Sequence, residues 1–189
     1  MSVRIYGNRL IDTLPGDEMR PTTSKVREAL FNIWQGTIDG CRWLDLCAGS
    51  GAMGAEALCR GASVAVGIEK NPDACDIARK NWKRVTKDSQ TALVIRGNVV
   101  KTLDKLAGQQ FDRIYFDPPY KGDLYNPVLA AIVEFKLLAD HGECAVEHSP
   151  GRAIVCDGLT VCREKKYGNT AVTFFSIEAS PLVPNSGGT

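Results

Sequence analysis

The sequence lacks any run of about 20 consecutive apolar residues, the length that a bilayer-spanning helix needs. Its start, Met1 to Tyr6, carries no apolar signal region, so a soluble, cytoplasmic protein with no membrane partner is expected. An organelle form whose transit peptide had been removed would read the same way. Charge of one sign is missing too: 23 Lys and Arg face 22 Asp and Glu, a formal net charge of +1. No global basic field argues for nucleic acid, and only a local basic patch remains open. Histidine is scarce. Neither His141 nor His148 has a Ser or Cys with an Asp arranged around it, which removes a nucleophilic triad. His148 follows Glu147 at a strand end, where it lines a cleft or has a structural place. The seven cysteines are an odd number with no CxxC pair and no nearby His, so they are expected to be structural thiols in a reducing compartment, with no metal site.

What is present is an ordinary globular composition, 44% hydrophobic and 24% charged, in a length suited to one domain. That domain is expected over residues 1–180, with an N-terminal hairpin and loop in 1–20 and a disordered polar tail over 181–189. Val3 to Tyr6 and Arg9 to Ile11 flank the turn-prone pair Gly7-Asn8 and read as the hairpin. In Lys25 to Trp34 the residues Val26, Ala29, Leu30, Ile33 and Trp34 recur at helical spacing, with Thr22 or Thr23 to cap the helix.

From Cys41 onward strands and helices alternate. Strands are expected at Arg42 to Cys47, Ser63 to Glu69, Thr91 to Ile95, Phe111 to Asp117 and Glu143 to Glu147. Helices are expected at Ala52 to Arg60, from Pro72 behind an Asn71 cap to about Arg84, at Val99 to Leu106, and at Leu124 to Phe135. Thr160 to Lys166 and Thr170 to Glu178 read as a terminal hairpin. Repeated βα units imply a parallel sheet with helices on both faces, an α/β fold of Rossmann-like type. An antiparallel hairpin at its end is what class I S-adenosylmethionine-dependent methyltransferases add to that plan.

Two motifs carry chemistry. The first spans Asp45 to Gly54, where Gly49, Gly51 and Gly54 follow a strand and open a helix. Such a turn lets a ligand approach the backbone, and the helix start beyond it offers free N–H groups. Glu69, at the end of the next strand, is placed to accept the hydroxyls of a ribose. A dinucleotide would suit these features equally. Asp45 shifts the choice toward S-adenosylmethionine, because a carboxylate at that strand end could hold the ammonium of an amino acid. Asn98 reads either as an adenine contact or as the cap of the helix at Val99.

The second motif, Asp117-Pro118-Pro119-Tyr120, leaves a strand end of the kind where ligands bind in such sheets. The Asp117 carboxylate and the Pro118 carbonyl can each accept one N–H of a planar amine. Pro119 stiffens the loop, and Tyr120 offers a face for a base to stack on. Arg20, Thr22, Thr23 and Lys25, clustered at a helix start, are candidate substrate contacts.

Four segments occur together and in order: Arg20 to Asn32, Asp45 to Leu58, Asp117 to Tyr120, and Arg163 to Gly168. In this the chain resembles the RsmD family, which methylates the N2 amine of a guanine in 16S ribosomal RNA with S-adenosylmethionine. The resemblance implies that Asp117, Pro118, Pro119 and Tyr120 hold the target amine. It implies that Asp45, Ala48, Gly49, Ser50, Gly51, Glu69, Lys70 and Asn98 form the cofactor site. Ribosomal RNA or a small-subunit assembly intermediate is then the expected partner, and a monomer the expected state. One departure stands out: the longer basic N-terminal run usual in the family is shortened here to Tyr6 to Asp12. Other readings are an amino-methyltransferase for a different RNA or DNA base, a non-catalytic RNA-binding assembly protein with this fold, and a dinucleotide oxidoreductase.

Overall fold

The computed structural model describes residues 2–14, 21–119 and 123–177. A seven-stranded sheet forms its middle. The strands that matter first are β3 (Arg42–Leu46), β4 (Val64–Glu69), β5 (Thr91–Arg96), β6 (Phe111–Phe116) and β7 (Leu138–His148). All five run parallel, and β8 (Leu159–Tyr167) and β9 (Thr170–Ile177) complete the sheet antiparallel, in the order β5-β4-β3-β6-β7-β9-β8. The chain moves outward from β3 to β5 and then returns to β6, so the order reverses between β3 and β6. A crevice opens at the carboxyl ends of strands where such a reversal occurs.

Both faces of the sheet are covered, which is why its strands are apolar on alternate and on consecutive residues alike. One face packs Trp43, Ala65, Tyr115, Ala145 and Phe174 against α1 (Pro21–Ile33), α2 (Ala52–Cys59) and α3 (Pro72–Val85). The other packs Leu44, Val66, Ile114, Phe116 and Val146 against α4 (Val99–Thr102) and α5 (Tyr125–Glu134). On the first face the rings of Phe31, Trp34, Trp43, Tyr115 and Phe174 form a chain with centroid spacings of 5.3–6.4 Å. Aromatic pairs of this kind contribute about 0.5–1.5 kcal/mol each beyond their buried area.

A two-stranded ribbon, β1 (Ser2–Ile5) with β2 (Arg9–Asp12), lies outside the sheet, as the Gly7-Asn8 turn foretells. It is tied on by buried polar contacts. Arg27 of α1 donates to Glu56 of α2 (2.7 Å) and to the carbonyl of Arg4 in β1 (2.7 Å). Arg60 closes on the other Glu56 oxygen at 2.8 Å and lies over Tyr6 and Phe31. The fully buried Asn81 of α3 holds both backbone groups of Asp12 and the carbonyl of Ser50. A buried ion pair with one partner missing is strongly destabilising, so these groups fix where the ribbon sits.

The elements match the periodicity with three differences. α1 begins at Pro21, with proline at its first position, so Thr22 and Thr23 lie inside the first turn and are not caps. The helix expected over Val99 to Leu106 is a single α-turn followed by a 3-10 turn at Leu103–Leu106. β7 starts five residues earlier than Glu143, across a register shift opposite Phe111 to Arg113. There a Cβ on Gly142 would come within 2.9 Å of the Ala139 carbonyl. Residues 178–189, including the expected tail, fall outside the described residues.

One contact sets the shape of the loop after β3. The Trp82 indole of α3 donates to the Gly51 carbonyl at 2.8 Å and lies flat where side chains at Gly51, Gly54 and Gly67 would stand. A Cβ on Gly54 would overlap the ring outright. Gly54→Ala is therefore expected to lower the unfolding free energy by about 2 kcal/mol or more, the scale of overpacking in a closed core. The same substitution in a Trp82→Leu background should cost less, and urea unfolding of the four proteins measures the coupling.

Candidate active site

The crevice at the switch point is a cavity of about 790 Å³. Its floor is the carboxyl end of β3, β4 and β6; the loop after β3 and the start of α4 form one side. α1 and the N-terminal ribbon form the roof.

The loop after β3 turns sharply. Cys47, Gly49 and Gly51 all have positive φ, at 63°, 54° and 76°. For Cys47 that conformation costs on the order of 1 kcal/mol, so other bonds must hold it. Ala48 N–H donates to the Ile68 carbonyl at 3.0 Å, and Gly51 N–H to the Ala48 carbonyl at 2.8 Å. The glycines divide their work. Gly51 and Gly54 make room for Trp82, whereas a Cβ on Gly49 would meet nothing within 4 Å. Gly49 and the half-buried Ala48 thus present open backbone to the cavity, beside the buried Ser50.

Glu69 ends β4 on the cavity wall. One carboxylate oxygen accepts the Gly49 N–H at 2.9 Å and the other the Asn71 N–H at 2.8 Å. Each oxygen keeps a second lone pair, which suits a vicinal diol. Lys70 is exposed at the rim. Asn98 also borders the cavity, and its side-chain oxygen accepts the Lys101 N–H at 3.3 Å as the cap of α4. The capping role is the one its geometry displays.

Asp45 is the electrostatic centre. It is 2% exposed, and its carboxylate accepts the Gly54 N–H at 3.0 Å. Burial pushes its pKa up to about 8, the Gly54 N–H offsets part of this, and the charges of Asp117 and Glu69 add to it. A carboxyl so placed would be stabilised in its charged form by a cation entering the cavity. On β6, Asp117 follows the last strand residue, its N–H donating to the Leu46 carbonyl at 3.4 Å. Pro118 is buried and Pro119 exposed, and both border the same cavity as Asp45 and Glu69. The two motifs therefore meet. Tyr120 falls outside the described residues.

The roof differs from the expectation. Arg20 lies outside the described residues, as do the side chains of Thr22 and Thr23, and Lys25 is exposed and does not border the cavity. Ser24 and Arg27, one turn apart, do border it, with Thr13 from the segment after β2. Helical spacing hinted at Arg27, which falls beside Val26 on the inward side, but a charged residue there reads as solvent-facing until Glu56 is known to meet it. Tyr115, read only as part of a strand, also lines the cavity. His148 does not: it is fully buried, bonded to Thr173 Oγ1 at 2.8 Å and to the Ser149 carbonyl at 3.0 Å, so its place is structural. All seven thiols are free, with Cys41, Cys75 and Cys144 buried.

Because the folded pKa of Asp45, about 8, lies above its ordinary 3.8, the folded chain holds a proton there that the unfolded chain releases. Its contribution to stability is complete below pH 4 and is lost as pH rises toward 8. Asp45→Asn should remove that loss, so its melting temperature is expected to exceed the parent's by a margin that grows from pH 5 to pH 8.5. The same variant should bind an ammonium-bearing ligand at least tenfold more weakly. Thermal melts across pH and titration calorimetry check both.

The comparisons with known proteins agree with this geometry. A family model described as conserved hypothetical protein 95 matches residues 3–176. The chain is 33% identical over 173 residues to "Putative rRNA methyltransferase YlbH" of Bacillus subtilis, covering 88% of this chain and 92% of that one. It is 32% identical over 163 residues to "Ribosomal RNA small subunit methyltransferase D" of Escherichia coli K12, covering 85% and 81%. Among solved structures, "Putative methyltransferase yhhF" from Escherichia coli superposes with a TM-score of 0.82 at 30% identity, over 95% of this chain and all of that one. An RNA methyltransferase from Salinibacter ruber in complex with S-adenosyl-L-homocysteine has a TM-score of 0.64 at 17% identity, over 85% and 95% of the two chains. At that identity the likeness is one of fold. Matched along nearly its whole length by the family model and by relatives at a third identity, the chain belongs to the conserved hypothetical protein 95 family, that of the RsmD methyltransferases.

Proposed function

We propose that this methyltransferase uses S-adenosylmethionine to methylate the exocyclic N2 amine of a guanine in small-subunit ribosomal RNA. The observation that carries the reading is that Asp117 and Pro118 open onto the same cavity as Asp45, Gly49 and Glu69. The residues fit the cofactor. Asp45 is a buried carboxylate suited to an ammonium, Glu69 is held by two N–H groups with lone pairs left for a ribose, and Gly49 leaves backbone open to close approach. When bound, the cofactor supplies an electrophilic methyl group on a sulfonium.

The protein's part is orientation. An exocyclic amine conjugated with its ring is a weak nucleophile. Asp117 and the Pro118 carbonyl each accept one N–H, which turns the nitrogen lone pair out of conjugation and aims it into the cavity. The negative charge of Asp117 stabilises positive charge as it develops on nitrogen, and the proton leaves after the methyl group is in place. Proline at 118 and 119 fixes two φ angles, so the accepting carbonyl is held in place before the base arrives. Arg20, Thr22, Thr23 and Lys25 are assigned to the RNA backbone around the target, and Tyr120 to stacking on the base.

The names of the relatives support ribosomal RNA as substrate, and the resemblance in Arg20 to Asn32 supports the guanine amine. Methylation of an adenine amine, in RNA or DNA, is the competing reading, since an Asp-Pro-Pro-Tyr loop serves either base. Asp117→Ala is expected to lower kcat by a factor of about 1,000 while binding of S-adenosylmethionine changes little. Labelled methyl transfer to small-subunit RNA, followed by nucleoside mass spectrometry, should give N2-methylguanosine. N6-methyladenosine as the sole product would reject the guanine assignment.

A further inference from the structure

Beside the reacting loop lies a pair that the mechanism above does not use. Tyr115 of β6 is 3% exposed and borders the cavity, and its hydroxyl donates to the carboxylate of Glu147 on β7, itself 4% exposed. The backbone places both. Tyr115 is register-paired with Asp45 on one side and with Ala145 on the other, so Glu147, two residues on, shares its face of the sheet. Asp117 lies two residues beyond Tyr115, and residues two apart on a strand point to one face roughly 7 Å from one another. Tyr115 thus shares a face of the sheet with Asp45, and its phenol reaches toward β7 beside the acceptor loop. Its ring stacks on Trp43 at 6.4 Å, which fixes its orientation.

A phenol has one proton to donate and two lone pairs. Tyr115 commits that proton to Glu147, so its oxygen can offer the cavity only a lone pair. Burial first, and then the charges of Glu147 and Asp117, raise its pKa well above 10, so the phenol keeps its proton. A neighbouring carboxylate also makes the oxygen a better acceptor.

The Watson–Crick edge of guanine carries N1–H directly beside the N2 amine, whereas adenine carries a bare N1 acceptor beside its N6 amine. With Asp117 and Pro118 taking the amine hydrogens, the next atom along the edge meets Tyr115. Resting on the guanine reading above, we propose that Tyr115, made an acceptor-only group by Glu147, takes the N1–H of the target base and so selects guanine over bases with a bare N1. An adenine or a 2-aminopurine there would set two acceptors against each other, and a mismatch of that kind discriminates by roughly 10- to 100-fold.

The test changes the Watson–Crick edge of the base, removing N1–H together with the neighbouring O6 while keeping the N2 amine. Small-subunit RNA reconstituted with its proteins is prepared with guanine or with 2-aminopurine at the methylated position; 2-aminopurine keeps the N2 amine and lacks N1–H. The parent enzyme should methylate guanine at least tenfold faster in kcat/KM. Tyr115→Phe keeps the ring on Trp43 and loses the oxygen. It should slow guanine about tenfold and bring the two rates within about threefold of each other, with unchanged S-adenosylmethionine affinity by calorimetry. Glu147→Gln, which keeps a hydrogen-bonding partner for the phenol without its charge, should narrow the ratio less. Equal rates on the two bases with the parent enzyme, or a ratio left intact in Tyr115→Phe, would overturn the inference while the guanine reading stands. Weakened cofactor affinity in Tyr115→Phe with the base ratio unchanged would assign the phenol to the cofactor and overturn it as well. Methyl transfer to adenine alone would instead overturn the guanine reading and this inference together.

Discussion

The site depends on one packing constraint, the seat of the Trp82 indole against Gly51, Gly54 and Gly67. The ring lies between the loop after β3, the first turn of α2 and the middle of β4. It presses the loop down so that the Gly54 N–H meets the Asp45 carboxylate and Gly49 is left bare above. A wider residue at any of the three positions would lift the loop from the sheet. Asn81, the next residue back on α3, ties the same loop to the N-terminal ribbon through Ser50 and Asp12. One turn of α3 thus positions both one side and part of the roof of the cavity.

Charge is arranged around that packing. Asp45, Glu69, Asp117 and Glu147 gather at the carboxyl ends of adjacent strands, where the sheet order reverses. Two of them, Glu69 and Glu147, are held by defined donors: backbone N–H groups in one case and a phenol in the other. Asp45 accepts the Gly54 N–H, and its raised pKa comes first from burial and then from the charges of Asp117 and Glu69. Positive charge stays outside this row, with Arg27 and Arg60 engaged on Glu56 under the ribbon. Of the cations that border the cavity, Arg27 is paired with Glu56 and Lys70 is exposed at the rim.

Much of this was legible in the residues. Strand and helix periodicity placed every strand of the sheet, though β7 begins at Leu138 and not at Glu143, because both faces of a parallel sheet must be apolar and its helices must be amphipathic. The Asn71-Pro72 helix start was legible because a cap acts through its own neighbours. The α1 start was misjudged by a few residues, since proline at the first helical position and threonine at a cap compete for one local signal. The shared cavity of Asp45, Glu69 and Asp117 was inferable from topology alone, as all three end strands beside the switch point.

The sequence by itself determined the family, the parallel βα plan with its terminal hairpin, and the two motif loops, since these rest on local propensity, periodicity and residue identity. Only the tertiary structure decided what Trp82, Arg27, Tyr115 and Glu147 do. Their roles arise from hydrogen bonds between residues 29 to 32 positions apart, such as Trp82 on Gly51 and Tyr115 on Glu147. No spacing within one element announces such contacts. A tryptophan on a helix looks like core until three glycines are found beneath it, and a tyrosine in a strand looks like packing until its proton is seen to be spent on a buried acid.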